Sequence, residues 1–442
     1  MLAKVFVGER SAQRRISRKL VCEVAVELIE NGQKLGPRDV DAPAGDSGLS
    51  SGYRECKAEA PRAQVAATES TAELTRRLKA EALRLGFSAC GVCPAVEATR
   101  YPLLAAWIQA GYAGEMTYFE KRLPAYRHPR GVLPSVRSLV MLTHNYRTDE
   151  PAQCRPGFGR VSRYAWGNAD YHDVIRQKLH RLADWLRGER PDVHVRGVVD
   201  TAPLLERDYA QLAGLGWIGK NTLLLRPGEG SWFFLAALLV DCPLEYDQPF
   251  TSDHCGTCRA CLDACPTGAF VQPYVLDATR CISYLTIELR SMPPEELRHA
   301  MGDWLFGCDV CQEVCPWNRR TPRATEPCYD PQPHLNPVDL VALFEMNEEQ
   351  FRQVFRHVPL WRARRAGLLR NAAIALGNQR AENARAALEK GLHDEHPLVR
   401  AACAWALRQF GDQRARAALK QRKEVETDPM VIAELTDADT SP

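Results

Sequence analysis

Eight of the sixteen cysteines fall between Cys255 and Cys315, in an order that suits one kind of chemistry. The first block reads Cys255-Gly-Thr-Cys258-Arg-Ala-Cys261-Leu-Asp-Ala-Cys265-Pro266. The second is Cys281, followed by Cys308-Asp-Val-Cys311-Gln-Glu-Val-Cys315-Pro316. Two-residue gaps let three thiolates of one tight loop reach three corners of an iron–sulfur cubane. In two-cluster ferredoxins the fourth cysteine, ahead of proline, ligates the other cluster. Crossing the fourth ligands in this way assigns one [4Fe–4S] cluster to Cys255, Cys258, Cys261 and Cys315. The other falls to Cys265, Cys281, Cys308 and Cys311, with the first ligand of the second run displaced upstream to Cys281. Paired cysteines also build tetrahedral zinc sites with four thiolate ligands; the full run closing on Cys-Pro, together with its partner run, points to the cluster pair.

The other cysteines read as structural. Cys90 and Cys93 are three apart in an apolar run, and in a strand such positions face opposite sides, so they cannot chelate together without a turn. Cys22, Cys56, Cys154, Cys242, Cys328 and Cys403 stand alone, as small buried hydrophobes do.

These ligands need elements to hold them. The chain has 442 residues, too many for one core, and its 45% hydrophobic and 25% charged fractions are those of a soluble globular protein. No apolar run is long enough to span a membrane, and the net charge of +2 confines any nucleic-acid footprint to a local patch. Arg14-Arg15 imitates an export motif, but the following segment carries Glu23, Glu27 and Glu30 where an uncharged core is needed. The expectation is a cytoplasmic protein without a membrane partner, acting as a monomer, with residues 1–70 as a disordered extension.

Order is expected from Ser70, where Ser70-Thr-Ala-Glu73 has the form of a capping box and Leu74, Leu78, Ala82 and Leu85 share a helical face. Apolar runs at Ala89–Val92, Ser138–Thr143, Val195–Val199, Asn221–Leu225 and Phe233–Val240 alternate with helical patterns at Tyr171–Leu186 and Ala202–Ala213. The fold class is therefore multidomain α/β (α+β): a mixed domain over 71–245, a cysteine-rich domain over 246–330 and a helical domain over 331–442. In the last, Leu368–Gly377 resembles Leu398–Leu407, with Arg370 and Arg400 thirty positions apart, and Pro429–Leu435 starts another copy. HEAT-type helix pairs and two unrelated amphipathic helices both account for this.

The segments Arg163-Tyr-Ala-Trp-Gly-Asn-Ala-Asp-Tyr-His172, Val199-Asp-Thr-Ala-Pro-Leu-Leu-Glu-Arg207, Gly214-Leu-Gly-Trp-Ile-Gly-Lys220 and Gly230-Ser-Trp-Phe-Phe234 resemble the epoxyqueuosine reductases. Cys281-Ile-Ser-Tyr-Leu-Thr-Ile-Glu288 and Cys315-Pro-Trp-Asn318 extend the resemblance to roughly 70–435. It implies a nitroreductase-like cobalamin-binding domain, a ferredoxin-like two-[4Fe–4S] domain and C-terminal all-α HEAT-like repeats. It also implies an enzyme that reduces epoxyqueuosine to queuosine at the tRNA wobble position, supplied by a low-potential electron donor that the sequence does not identify. A related cobalamin-dependent reductive dehalogenase and a plain ferredoxin-like electron carrier are the alternatives. Deoxygenating an epoxide takes two electrons and two protons; clusters deliver single electrons, so the carbon chemistry belongs to the cobalamin.

By the same resemblance Asp200 is the proton donor, its carboxyl pKa raised by apolar neighbours. Capping a helix that opens at Ala202-Pro203 is its competing role. Arg163, Tyr164, Asp170, Tyr171, His172 and Lys220, with Asp200, become cofactor or substrate contacts. Read alone, Asp170–His172 could simply open a helix and Lys220 decorate a turn. Asp192-Val-His194-Val-Arg-Gly197 matches the pattern by which histidine ligates cobalt, but lacks the strand before and helix after that the pattern requires.

No acidic residue occurs from Phe351 to Ala381, while Arg352, Arg356, Arg362, Arg364, Arg365, Arg370 and Arg380 do, with His357 and Trp361 among them. Such a run, extended by Arg319-Arg320, suits RNA phosphates and base stacking, or else forms a solvated helical face.

Overall fold

The computed structural model describes residues 70–436; expectations for residues 1–69, including Cys22 and Cys56, lie outside the described residues. Helix α1 (Thr71–Arg84) begins where Ser70 Oγ accepts the backbone N–H of Glu73. It buries Leu74, Leu78 and Ala82, and ends at Gly86, whose φ of +91° suits glycine. The chain then enters strand β1 (Ala89–Pro94). With β2 (Ser138–Asn145), β3 (Val195–Val198) and β4 (Phe233–Val240) it makes a four-stranded sheet in the order β1-β2-β4-β3.

Every pairing in this sheet is antiparallel, with Ala89 opposite Thr143, Ser138 opposite Val240, and Val195 opposite Val240 on the other edge. β2 and β4 are buried on both faces, which explains their continuous apolar runs. Helix α2 (Tyr171–Glu189) packs on β3 and β4, and helix α3 (Glu206–Leu212) on β2 and β4. The apolar run at Asn221–Leu225 yields only a two-residue strand, Leu224–Leu225, paired with Trp217–Ile218.

The expected segments are not separate bodies. A strand from the first, Phe158–Val161, is the centre of a three-stranded sheet. Its neighbours are Trp304–Phe306 from the cysteine-rich segment and Val338–Asp339 from the C-terminal one. Residues 70–436 accordingly fall in one unit. No helix among the described residues is long and apolar enough to cross a membrane.

In the C-terminal segment α4 (Arg364–Gln379), α5 (Pro397–Arg408) and α6 (Pro429–Thr436) pack in succession, α5 between the other two. Gly377 lets α4 approach closely, since an added Cβ would stand 2.8 Å from Ala406 Cα. Arg370 does not face solvent as a phosphate-binding residue would: it is fully buried. Its guanidinium donates to the carbonyls of Leu285, Leu289 and Ser291, at the short helix Ile282–Ile287 that follows Cys281. Its neighbour Asn371 donates to Thr286 O and Leu305 O. Arg365 is likewise turned inward, paired with Asp394 at 2.7 Å. Both residues thus leave the expected RNA patch, because helix docking needed their donors.

Removing a buried donor that satisfies several carbonyls strands those acceptors. Arg370→Met is therefore expected to lower unfolding free energy by about 3 kcal/mol. Arg370→Lys should not restore it, because one ammonium cannot reproduce the splayed fork. Thermal denaturation of both variants measures this; wild-type stability in either contradicts the anchor.

Candidate active site and cysteine cavities

The eight cysteines divide between two cavities. Cys255, Cys258, Cys261 and Cys315 line one, with Lys220, Asn221, His254 and Trp317. Cys265, Cys281, Cys308 and Cys311 line the other, with Tyr164, Arg207, Asn221 and Leu223. Among the described residues no three His, Cys, Asp or Glu side chains gather tightly enough to hold one metal ion; the thiols surround spaces. Burial pushes the Cys261 and Cys281 thiols up to about 11, and those of Cys308 and Cys311 well above the ordinary range. Such thiols need a bound positive centre to become thiolates.

The loops that carry them are tied to the α/β segment by buried polar contacts. Asp309, between two cavity cysteines, accepts from Ser162 Oγ and from the Arg163 backbone N–H at 2.7 Å. Gln312 donates to Ser231 O at 3.1 Å. Asn318 Oδ1 accepts the Ser231 backbone N–H at 2.7 Å. Glycine at 230 is required there: its φ is +64° and a Cβ would meet Asn318 Oδ1 at 2.0 Å.

Asp200 lies beyond the second cavity. It lines a pocket of about 60 Å³ with Tyr171, Glu206, Arg207, Leu223, Leu224, Ser231, Phe233 and Phe234. Arg207 and Leu223 border this pocket and the second cysteine cavity alike, and Asn221 borders both cysteine cavities. The three spaces therefore form a chain of neighbours. Asp200 (φ +56°) and Thr222 (φ +65°), both in the left-handed region, stand along it, and Thr222 O accepts from Arg207 at 2.7 Å. Strain of this kind, about 1–3 kcal/mol per residue, persists where the surroundings over-determine a site.

Asp200 does not cap a helix, since α3 begins only at Glu206. Its backbone N–H donates to Glu206 Oε1 at 2.9 Å, and Tyr171 OH donates to its Oδ2 at 2.9 Å. His172 Nε2 lies 3.3 Å and Arg362 Nη1 3.6 Å from the same oxygen. Its environment corrects the apolar expectation. Burial raises the carboxyl, while the His172 ring and the Arg362 guanidinium beside it act to lower it.

Asp170 caps α2 and holds His172, whose backbone N–H and Nδ1 reach Asp170 Oδ1 at 2.9 and 2.7 Å. Tyr171 stacks on Phe234, centroids 4.1 Å apart and planes at 5°. Tyr164 lines the second cysteine cavity. Arg163 turns away from Asp200: it donates to Asp149 O and Glu150 Oε2 and packs on Trp166 and Trp232. Lys220 is at the first cysteine cavity, donating to Gly256 O at 2.6 Å and Cys258 O at 2.9 Å. His194 is an exposed residue paired with Asp241.

Sequence reading passed over Glu206, Arg207, Phe233 and Phe234 as site residues, although all lie within matched motifs. It placed Arg362 only in the arginine run, where nothing local distinguishes it.

Three family models match the chain: "4Fe-4S double cluster binding domain" over 254–318, "Epoxyqueuosine reductase QueG, DUF1730" over 127–201 and "HEAT repeats" over 362–438. An epoxyqueuosine reductase of Cellulophaga algicola is 44% identical over 295 residues, 66% of this chain and 95% of the relative. That of Escherichia coli is 40% identical over 346 residues, 77% and 91% of the two chains. A crystal structure of epoxyqueuosine reductase with an epoxyqueuosine-modified tRNA-Tyr stem loop superposes with a TM-score of 0.78 at 32% identity, covering 84% of this chain and 98% of that one. At such identity, over more than nine-tenths of each of these two relatives, this chain belongs to the epoxyqueuosine reductase family.

Proposed function

We propose that this chain reduces epoxyqueuosine to queuosine at the wobble position of a tRNA anticodon, with Asp200 as proton donor. The observation that carries the reading is the chain of three neighbouring spaces, two ringed by four cysteines each and the third holding Asp200. Two clusters ligated by the crossed sets, Cys255, Cys258, Cys261, Cys315 and Cys265, Cys281, Cys308, Cys311, fit the first two. A low-potential donor meets the first, where Cys258 is exposed.

The residues of the third space fit a cobalamin in kind. Leu223, Leu224, Phe233 and Phe234 offer apolar and aromatic walls, and Ser231, Glu206 and Arg207 offer partners for amides. The cobalamin would supply a reduced metal centre able to act on carbon. The protein's own task is to exclude water and manage the proton. Converting the epoxide to an alkene breaks both carbon–oxygen bonds, consumes two electrons and two protons, and releases water. Asp200 gives one proton to the departing oxygen, with Tyr171 and His172 beside its carboxyl.

In this reading 71–245 is a nitroreductase-like cobalamin domain, 246–330 a ferredoxin-like cluster domain and 331–442 the RNA-binding helices. Arg352, Arg356, Arg364 and Arg380 remain exposed for phosphates, and the Arg364 guanidinium lies over the Trp361 ring, 4.7 Å from its centre.

Anaerobic incubation with cobalamin, reductant and epoxyqueuosine-bearing tRNA, followed by mass spectrometry of the digested RNA, is expected to show loss of one oxygen. Asp200→Asn should slow this at least about a hundredfold; no conversion by fully loaded wild type contradicts the function. Cys255→Ala and Cys315→Ala should abolish the same cluster signal in EPR, and Cys281→Ala the other, each costing about half the iron. Signals paired by sequence block instead would contradict the crossing. Reversal of Arg352, Arg356 and Arg364 to glutamate should weaken stem-loop binding and flatten its salt dependence, by about 2 to 3 in slope; an unchanged titration contradicts the RNA face.

A further inference from the structure

Arg362 belongs by sequence to the C-terminal helical segment, yet its guanidinium reaches the Asp200 site. Nη2 lies 2.6 Å from His172 Nε2, Nη1 lies 3.6 Å from Asp200 Oδ2, and the group sits 6.0 Å from the Tyr171 ring centre. Its backbone is held on both flanks, by Trp361 packed on Phe351 and by Leu360 and Ala363 in the core. The Arg362 side chain is 33% exposed, whereas Asp200 is 16% and His172 4% exposed. Arg362 is thus the most exposed of the three side chains.

The hold on Asp200 is loose. A separation of 3.6 Å is an ion pair without a hydrogen bond. A guanidinium has five N–H donors in a planar fork, and a phosphate can accept two of them at once. An RNA backbone arriving beside Arg364 would therefore compete well for Arg362.

Resting on the tRNA reading above, we propose that Arg362 is a positioning residue with two alternative partners: the His172–Asp200 pair in the free protein, and a phosphate of the bound RNA in the complex. The exchange links substrate seating to chemistry. A proton donor must carry a proton, and a cation beside Asp200 keeps it ionised. Once the cation turns to RNA, Asp200 loses one of the groups that keep it ionised. Titratable groups that face Asp200 include His172, Glu206, Arg207 and the phenols of Tyr118, Tyr126, Tyr164 and Tyr171, of which all but Tyr118 are buried. Arg362 belongs to the run that carries Arg352, Arg356 and Arg364 at the surface.

The test is a double-mutant cycle on binding, with full-length protein carrying its cofactors and an epoxyqueuosine-bearing anticodon stem-loop as probe. Wild type, Arg362→Met, Asp200→Asn and the double variant are titrated at several salt concentrations. Arg362→Met is expected to weaken binding about tenfold and reduce the salt slope by about one, while Arg362→Lys keeps the slope. Asp200→Asn releases the cation, so its effect on binding should be at least about threefold more favourable with Arg362 present than with Arg362→Met. Any direct contact of Asp200 with the substrate cancels in that comparison. Equal effects of Asp200→Asn in both backgrounds, or an unchanged slope in Arg362→Met, overturn the exchange. Arg362→Gln replaces Arg362→Met in the cycle if the latter does not fold. A wild-type protein that does not bind the stem-loop overturns the tRNA reading and the exchange together, whereas wild-type binding with an additive cycle overturns the exchange alone.

Discussion

A single layer of side chains separates each reactive space from the next, and the rest of the architecture serves that adjacency. Arg207 and Leu223 stand between the Asp200 pocket and the second cysteine cavity, and Asn221 between the two cysteine cavities. Electron transfer weakens steeply with distance, so groups from 200–235 and from 255–315 must be held at fixed separation. The left-handed backbone at Asp200 and Thr222 shows the constraint locally: the chain accepts strain where an ordinary turn would move a wall of the chain of spaces.

Buried polar groups fix the position of the cysteine loops within the apolar packing. Asp309 grips Ser162 and the Arg163 backbone, while Gln312 and Asn318 grip Ser231. Hydrophobic contacts are non-directional and would tolerate sliding. A satisfied hydrogen-bond network tolerates little, because a small shift leaves a buried donor or acceptor without its partner. Arg370 and Asn371 apply the same device to the C-terminal helices, binding the carbonyls around Ile282–Ile287. That helix follows Cys281 directly, so the helical segment also braces a proposed cluster ligand.

The electrostatics of the carboxylate follow from the same docking. A carboxyl buried among apolar groups would be raised, but seating the C-terminal segment adds the Arg362 guanidinium to the groups that oppose this. Charge at this site is therefore a property of how the segments meet.

The local features were legible in the sequence because local physics makes them. Cys-x-x-Cys spacing sets how thiols leave a tight loop; the apolar runs of Phe233–Val240 and Ser138–Thr143 mark strands buried on both faces; Ser70 and Asp170 announce helix starts through their own caps. The division of the cysteines into crossed sets also follows the motif, and each set lines one cavity. What tertiary structure decided was the direction in which long polar side chains point. Arg352, Arg362, Arg365 and Arg370 look alike in a run without acidic residues, yet one faces solvent, one reaches a carboxylate, one pairs with Asp394 and one is fully buried. A guanidinium on a flexible stem finds whichever acceptors the packed segments present. Those acceptors lie 29 residues along the chain for Arg365 and 85 for Arg370, beyond the reach of any local pattern.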